Sequence, residues 1–257
     1  METITYRQWH EEGTFKFNVE TMVSFSQCDR NKNLSVHELL KLTSDIAVED
    51  FNQRNMSRDT LTAAGYAILV SRNSFNIHRI PVENEFITVS TWEEKSEPFQ
   101  FIRAYEIKDS KSNEKLVTGL STWLLVDLNN RRLLPIKKFT MREPLDTVTE
   151  HDCLKPEKIS LPENMIHLED RKIRYSDLDA NGHTNNARYG AFAFDAIPDE
   201  FKEKKLKALR INYSQEALYD QNLEIKADLS DSEKLTVAGF LNNGEKPVSS
   251  FECEFYF

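Results

Sequence analysis

The sequence predicts an α+β protein in which one strand–turn–helix–sheet unit occurs twice, with both helices packed against a joined antiparallel sheet. Three observations carry this. The chain has 16 Phe and 8 Tyr but only 7 Gly, which favours strands with packed aromatic faces over a glycine-rich nucleotide fold. Ser35-Val36-His37-Glu38 reads as a capping box, and Val36, Leu39, Leu40, Ile46, Ala47 and Phe51 follow at helical spacing. The polar turn after the first strand returns 150 positions later: Asp29 corresponds to Asp179, Asn31 to Asn181, Asn33 to His183 and Ser35 to Asn185.

Taken in order, Thr14 to Phe25 alternates as a strand and leads into the turn Ser26 to Leu34. The long helix follows. Tyr66 to Ile80, Glu85 to Lys95, Phe99 to Lys108 and Lys115 to Asp127 are rich in Val, Ile, Thr and aromatics, with breaks at Pro81, Pro98, Asp109-Ser110 and Asn129-Asn130. Residues 141–169 carry Pro144, Pro156 and Pro162 with little periodicity and read as a linker between units at 1–140 and 170–257. The second unit repeats the order: a strand at Arg171 to Tyr175, the turn, and a shorter helix from Ala187 to Ile197 capped by Thr184 or Asn185. Strands follow at Lys207–Tyr213, Asn222–Leu229, Leu235–Leu241 and Val248–Phe257. Each unit covers only one face of its helix, so the two sheets are expected to join.

Composition narrows the functional classes. At 39% hydrophobic and 29% charged residues the chain fits a soluble globular protein. No apolar run approaches the roughly 20 residues that span a bilayer, and the first residues lack a basic-then-apolar signal pattern, so a cytoplasmic location is expected. Cys28, Cys153 and Cys253 show no CxxC spacing, against a disulfide framework or a zinc site; no metal or cofactor is expected. A net charge of −9 disfavours nucleic acid. Two basic clusters depart from that balance: Arg131, Arg132, Lys137, Lys138 and Arg142, then Lys202, Lys204, Lys205 and Lys207. Such clusters are ordinarily solvated surface, and on an acidic protein they suit an acidic protein partner.

The stretch from Tyr175 to Gly190 holds a carboxylate, an amide and an imidazole at alternate positions: Asp179, Asn181 and His183. By itself it is a polar turn. The first copy has Asn33 where the second has His183, so a single active site would belong to the second copy. Phe15, Phe17, Phe25, Phe51, Phe75, Phe99 and Phe101 are expected in the core.

The run Asp177-Leu178-Asp179-Ala180-Asn181-Gly182-His183-Thr184-Asn185-Asn186-Ala187-Arg188-Tyr189 resembles the signature of the acyl-acyl carrier protein thioesterases, whose fold is a tandem double hotdog on a continuous curved sheet. Ser121 to Asp127, followed by Arg131-Arg132 and Pro135, is similar to the strand and basic turn closing that family's first hotdog. Tyr213-Ser214-Gln215-Glu216-Ala217 falls where the family has an Arg-Glu-Cys-type segment. The resemblance covers roughly Phe15 to the C-terminus, and the short length looks bacterial. It implies a catalytic set of Asp179, Asn181, His183 and Glu216, an acidic carrier protein as partner docking on the basic clusters, and an acyl tunnel between helix and sheet of the first copy. Ala217 replaces the cysteine of plant members, so no thiol acts there.

Thioester hydrolysis needs an attacking oxygen, a proton acceptor and stabilisation of the oxyanion. A carboxylate can attack directly or activate water. The favoured expectation is water activated by Glu216 and His183, with Asp179 holding the histidine and Asn181 donating to the carbonyl. An acyl-coenzyme A thioesterase and a non-catalytic acyl-binding protein are the alternatives. The paired units make a monomer sufficient, and a homodimer is equally compatible.

Overall fold

In the computed structural model, which describes residues 6–242, 244 and 246–257, the central element is helix α1, Val36–Gln53. Ser35 caps it as expected, its side chain accepting from the Glu38 N–H at 3.3 Å. The reciprocal half of the box is not made. The Ser35 N–H donates instead to the Gln27 carbonyl, and the Gln27 amide reaches the Glu38 carboxylate at 3.3 Å. One face of α1 buries Val36, Leu39, Leu40, Thr43, Ile46, Ala47, Asp50 and Phe51, the helical stripe that apolar spacing dictates.

Twelve strands form one antiparallel sheet. The first half contributes β1 (Arg7–His10), β2 (Phe17–Met22), β3 (Tyr66–Ile77), β4 (Phe86–Glu97), β5 (Gln100–Asp109), β6 (Lys115–Asp127) and β7 (Arg132–Leu134). The second contributes β8 (Ile166–Lys172), β9 (Ala208–Tyr213), β10 (Asn222–Asp228), β11 (Lys234–Leu241) and β12 (Val248–Tyr256). The order β2-β4-β5-β6-β3 is mirrored by β9-β12-β11-β10-β8, with β1 outside β2 and β7 paired to β6. The halves join where β3 meets β9, with Ser74 opposite Arg210. A duplicated unit thus closes on its own copy, hiding two edges that would otherwise stay unpaired.

Helix α2 (Arg58–Ala63) follows α1; helix α3 (Asn186–Ala196) occupies α1's place in the second half and is followed by the short α4 (Asp199–Lys202). The Asn185 side chain caps α3, accepting from the Ala187 N–H at 2.9 Å. The two long helices touch at Gly190, where an added Cβ would lie 2.3 Å from a Leu40 methyl. Glycine allows that approach.

Several elements differ from the sequence expectations. The first strand ends at Met22 and the matching one at Lys172, each followed by a 3₁₀ turn, Phe25–Gln27 and Tyr175–Asp177. Phe25 is therefore 82% exposed rather than in the core, and its counterpart Tyr175 is 83% exposed. Phe15 precedes β2, and Phe99 sits in the β4–β5 hairpin beyond the Glu97–Gln100 pair, so both are also exposed. Phe17, Phe51, Phe75 and Phe101 are buried as expected. Strand β8 begins at Ile166, earlier than its polar sequence suggests. The edge strand β1 was unreadable for the same reason: Arg7 to His10 alternates nothing apolar.

Beneath α1 lies a buried ionic cluster. Arg103, 1% exposed, donates to Asp50 at 2.9 Å, Arg54 bridges Asp50 (2.7 Å) and Glu93 (2.6 Å), and Arg142 reaches Glu93 at 2.8 Å. Burial alone would push the Glu93 carboxyl up, but Arg103, Arg142 and Arg54 together hold it below the usual carboxylate range.

Candidate active site

The turn after the Tyr175–Asp177 segment is built identically in both halves. Asp179 N–H donates to the His183 carbonyl at 2.8 Å, as Asp29 does to Asn33. The Asp179 carboxylate accepts from the backbone N–H of Asn181 (2.7 Å) and of His183 (3.4 Å), as Asp29 does from Asn31 and Asn33 (2.8 and 2.9 Å). The Asn181 side-chain amide donates to the other Asp179 oxygen at 3.3 Å. Gly182 takes φ +77°, a left-handed conformation that glycine enters without steric cost. Asp179 and Asn181 are thus turn formers here. Asp179 holds the histidine by its backbone; among the described residues no hydrogen bond joins it to the ring.

Glu216 reaches His183 through a second clamp. Thr184 N–H and hydroxyl both donate to the Ala217 carbonyl (3.2 and 2.7 Å), the Ala217 N–H donates to the Tyr189 hydroxyl at 2.9 Å, and His183 pairs with Leu218 as an isolated bridge. These contacts lay residues 216–218 along the turn. Glu216 Oε1 then stands 3.4 Å from His183 Nδ1, with the two side chains 56% and 40% exposed. The two groups stand at ion-pair distance, and a proton on Nδ1 would leave Nε2 free to accept.

The first half repeats the backbone part of this clamp without the ionisable pair. Leu34 N–H donates to the Pro81 carbonyl at 2.8 Å and Asn33 bridges to Val82. Pro81 therefore matches Ala217, and Ile80 stands where the second half has Glu216. Both members of the His183–Glu216 pair are missing from one copy and present in the other.

Asp177, 1% exposed, is structural. It accepts from the Arg174 N–H at 2.9 Å and pairs with Arg188 at 2.6 Å, tying the turn to α3. In the first half the polarity is exchanged, Gln27 donating to Glu38. Behind the site, Asn186 and Ala187 at the start of α3 face Leu40, Thr43 and Ser44 of α1, Val70 of β3 and Trp123 of β6 around a cavity of about 10 Å³. That is room for about one water. The cavity is composite, its lining drawn from both halves.

The cysteines stand apart. Burial pushes the Cys153 thiol up to about 11, burial also raises Cys253 well above its ordinary value, and Cys28 is raised by burial and then by Glu83 and Asp29. None is poised as a thiolate nucleophile.

The two basic clusters part company. Arg131 and Arg132 lie at the β6–β7 turn, and the Lys138 carbonyl accepts from the Tyr66 hydroxyl at 3.1 Å, at the end of β3 that runs on to Val70. Lys202, Lys204 and Lys205 instead line a cleft beside Asn33, around the turn of the first half. Tyr189 and Trp123 were not singled out from sequence. Their contacts are long-range, and no local pattern distinguishes them from core aromatics.

Comparisons with known proteins agree with this architecture. The Acyl-ACP thioesterase N-terminal domain matches residues 14–143 and the Acyl-ACP thioesterase C-terminal domain residues 162–251. An acyl-ACP thioesterase from Bacteroides thetaiotaomicron superposes with a TM-score of 0.85 at 21% identity, over 95% of this chain and 98% of that one. The 12:0-ACP thioesterase from Umbellularia californica superposes with a TM-score of 0.78 at 16% identity, over 96% and 98%. The fold is a tandem double hotdog, α+β. The chain belongs to the acyl-ACP thioesterase family. Among curated relatives, oleoyl-acyl carrier protein thioesterase 2, chloroplastic, from Arabidopsis thaliana is 23% identical over 229 residues, 81% of this chain and 62% of its own length. The palmitoyl-acyl carrier protein thioesterase, chloroplastic, from the same plant is 26% identical over 163 residues, 61% and 40%. The matches span about two fifths to three fifths of these relatives.

Proposed function

We propose that this chain hydrolyses the thioester of fatty acyl-acyl carrier protein, releasing free fatty acid and the carrier thiol. The observation that carries this is the apposition of His183 and Glu216 at 3.4 Å in one half, against Asn33 and Ile80 in the other. Glu216 orients the imidazole and stabilises its cationic form; Nε2 takes a proton from water as it attacks the carbonyl. The second N–H of the Asn181 amide and the N-terminal end of α3 supply donors for the oxyanion. The tetrahedral intermediate collapses with proton return from His183 to the departing sulfur. Asp179 acts as a positioning residue, through the turn.

The acyl chain enters between α1 and the sheet of the first half, where the lining of the small cavity must yield. Arg131, Arg132, Lys137 and Lys138 are the docking patch for an acidic carrier, because they adjoin the β3 end that leads to the site; Lys202, Lys204 and Lys205 open on the opposite turn, and Lys207 pairs with Glu233. Three unpaired cysteines suit a reducing cytoplasm, and one chain already contains the pairing of two hotdogs. The test is release of free acid from carrier-linked and coenzyme A-linked chains of graded length, with His183→Ala as control. Faster turnover of coenzyme A thioesters would move the substrate class; acyl binding without release would remove the hydrolytic reading.

A further inference from the structure

The turn of the first half opens on a cleft of about 660 Å³, within the range of small-molecule sites. It is the counterpart of the candidate active site, framed by Asn33 and Ile80 where the other has His183 and Glu216. Its opposing wall is Ala191 and Phe194 of α3 and the segment Lys202–Leu206. It lacks the counterparts of His183 and Glu216. It has kept a cavity.

Its lining is amphipathic in a defined way. Ile80, Phe194 and Leu206 are only partly buried and offer an apolar floor. At one end stand the start of α1, an 18-residue helix, and His37, whose Nδ1 is buried without a hydrogen-bond partner among the described residues and whose Nε2 lies 3.9 Å from Glu38 Oε1. Most cations around the cleft are already occupied. Arg188 pairs with Asp177, Arg79 with Glu85, Lys202 with Asp199, and Lys204 donates to the Ser232 carbonyl. Lys205 alone has no partner among the described residues and is exposed. Lys204 and Lys205, neither paired with a carboxylate among the described residues, an unsatisfied imidazole nitrogen and a helix N-terminus suit a monoanion with an apolar tail, while Asp29, Asp195 and Glu203 on the same lining oppose a more highly charged ligand. They do not match a phosphate dianion, which would need further free cations.

We propose that this second cleft binds an unesterified long-chain fatty acid, its carboxylate at Lys205 and His37 and its tail along Ile80, Phe194 and Leu206. The proposal rests on the hydrolase reading only for where such an acid would come from, since the reaction at His183 would release it. The cleft would then sense product without cleaving substrate.

The experiment is fluorescence titration with cis-parinaric acid in a His183→Ala background, so that binding is read independently of turnover. Ala191→Trp fills the cleft and Lys205→Glu reverses the charge at its exposed rim. Expected are saturable binding, at least tenfold weaker binding in Ala191→Trp, and about tenfold weaker binding in Lys205→Glu, with the corresponding fatty alcohol indifferent to Lys205→Glu. No binding, or binding unchanged by Ala191→Trp, overturns the site. Loss in Ala191→Trp without loss in Lys205→Glu overturns the carboxylate assignment. Circular dichroism checks that Ala191→Trp folds; if it does not, Lys205→Glu with the acid and alcohol pair decides.

Discussion

His183 Nδ1 and Glu216 Oε1 stand 3.4 Å apart although 33 residues separate them in the chain. The backbone clamp that brings them together exists in both halves, but only one half carries the ionisable pair. Frame and side-chain chemistry are thus separable: both copies share the frame, and two side chains distinguish the second copy.

Removing either member should therefore cost rate and not fold. His183→Ala is expected to lower kcat on acyl carrier substrate by about 10² to 10⁴, and Glu216→Gln by a factor toward the lower end of that span. Both side chains are well exposed, so thermal melts should overlay wild type. Full activity in both variants would remove the acid–base assignment.

Asp179 and Asp29 make the same turn, which separates structure from catalysis. Asp179→Ala and Asp29→Ala should each lose about 1 kcal/mol of stability through the lost backbone hydrogen bonds. Only Asp179→Ala should also lower hydrolysis, by loosening the histidine. Asp179→Asn keeps an acceptor oxygen and should retain most activity. A collapse of kcat in Asp179→Asn with an intact fold would give the carboxylate a direct chemical role instead.

The ionic cluster under α1 predicts acid sensitivity. Glu93 has its carboxyl held low in the folded protein by Arg103, Arg142 and Arg54 acting against burial. A lowered folded value means a stabilising contribution fully present above the unfolded carboxylate's range and lost as pH falls through the folded one. Urea midpoints should be flat near neutrality and drop below about pH 4.5, the ordinary value for glutamate. Arg103→Met leaves Asp50 and Glu93 buried with fewer partners and should cost about 3–5 kcal/mol at neutral pH. A loss below 1 kcal/mol would show the cluster to be solvated.

Thiol chemistry should be dispensable. Cys28→Ser and Cys153→Ser are expected to keep wild-type kcat, and an alkylating reagent at neutral pH should leave hydrolysis intact, because neither thiol is lowered toward the thiolate. Rapid inactivation on alkylation of wild type, absent in these variants, would overturn this.

Charge reversal at the two basic clusters should separate docking from bystander surface. Arg131→Glu with Arg132→Glu should raise KM for carrier-linked substrate several-fold and weaken its salt dependence, with kcat little changed. Lys202→Glu with Lys204→Glu should not. The reverse pattern would move the docking patch to the first-half cleft.

The sequence by itself determined the repeat, both long helices, most strands and the residues of the turn, because these rest on local terms: periodicity, caps and the Asx chemistry that Asp29 and Asp179 share. It also marked His183, since a single substitution between aligned copies is visible without coordinates. Its errors came where locality fails. Phe25 reads as strand core, but the chain turns out of the sheet at Met22 and leaves it in solvent; β1 and the start of β8 carry no apolar alternation and pair only because a neighbouring edge is there. Only the tertiary structure decided that Asp179 grips backbone rather than imidazole, that Lys202, Lys204 and Lys205 line a cleft at the first-half turn, and that Glu216 meets His183 while Ile80 takes its place in the other copy. Those relations depend on which distant segments the sheet brings side by side, and the spacing of residues along the chain does not encode them.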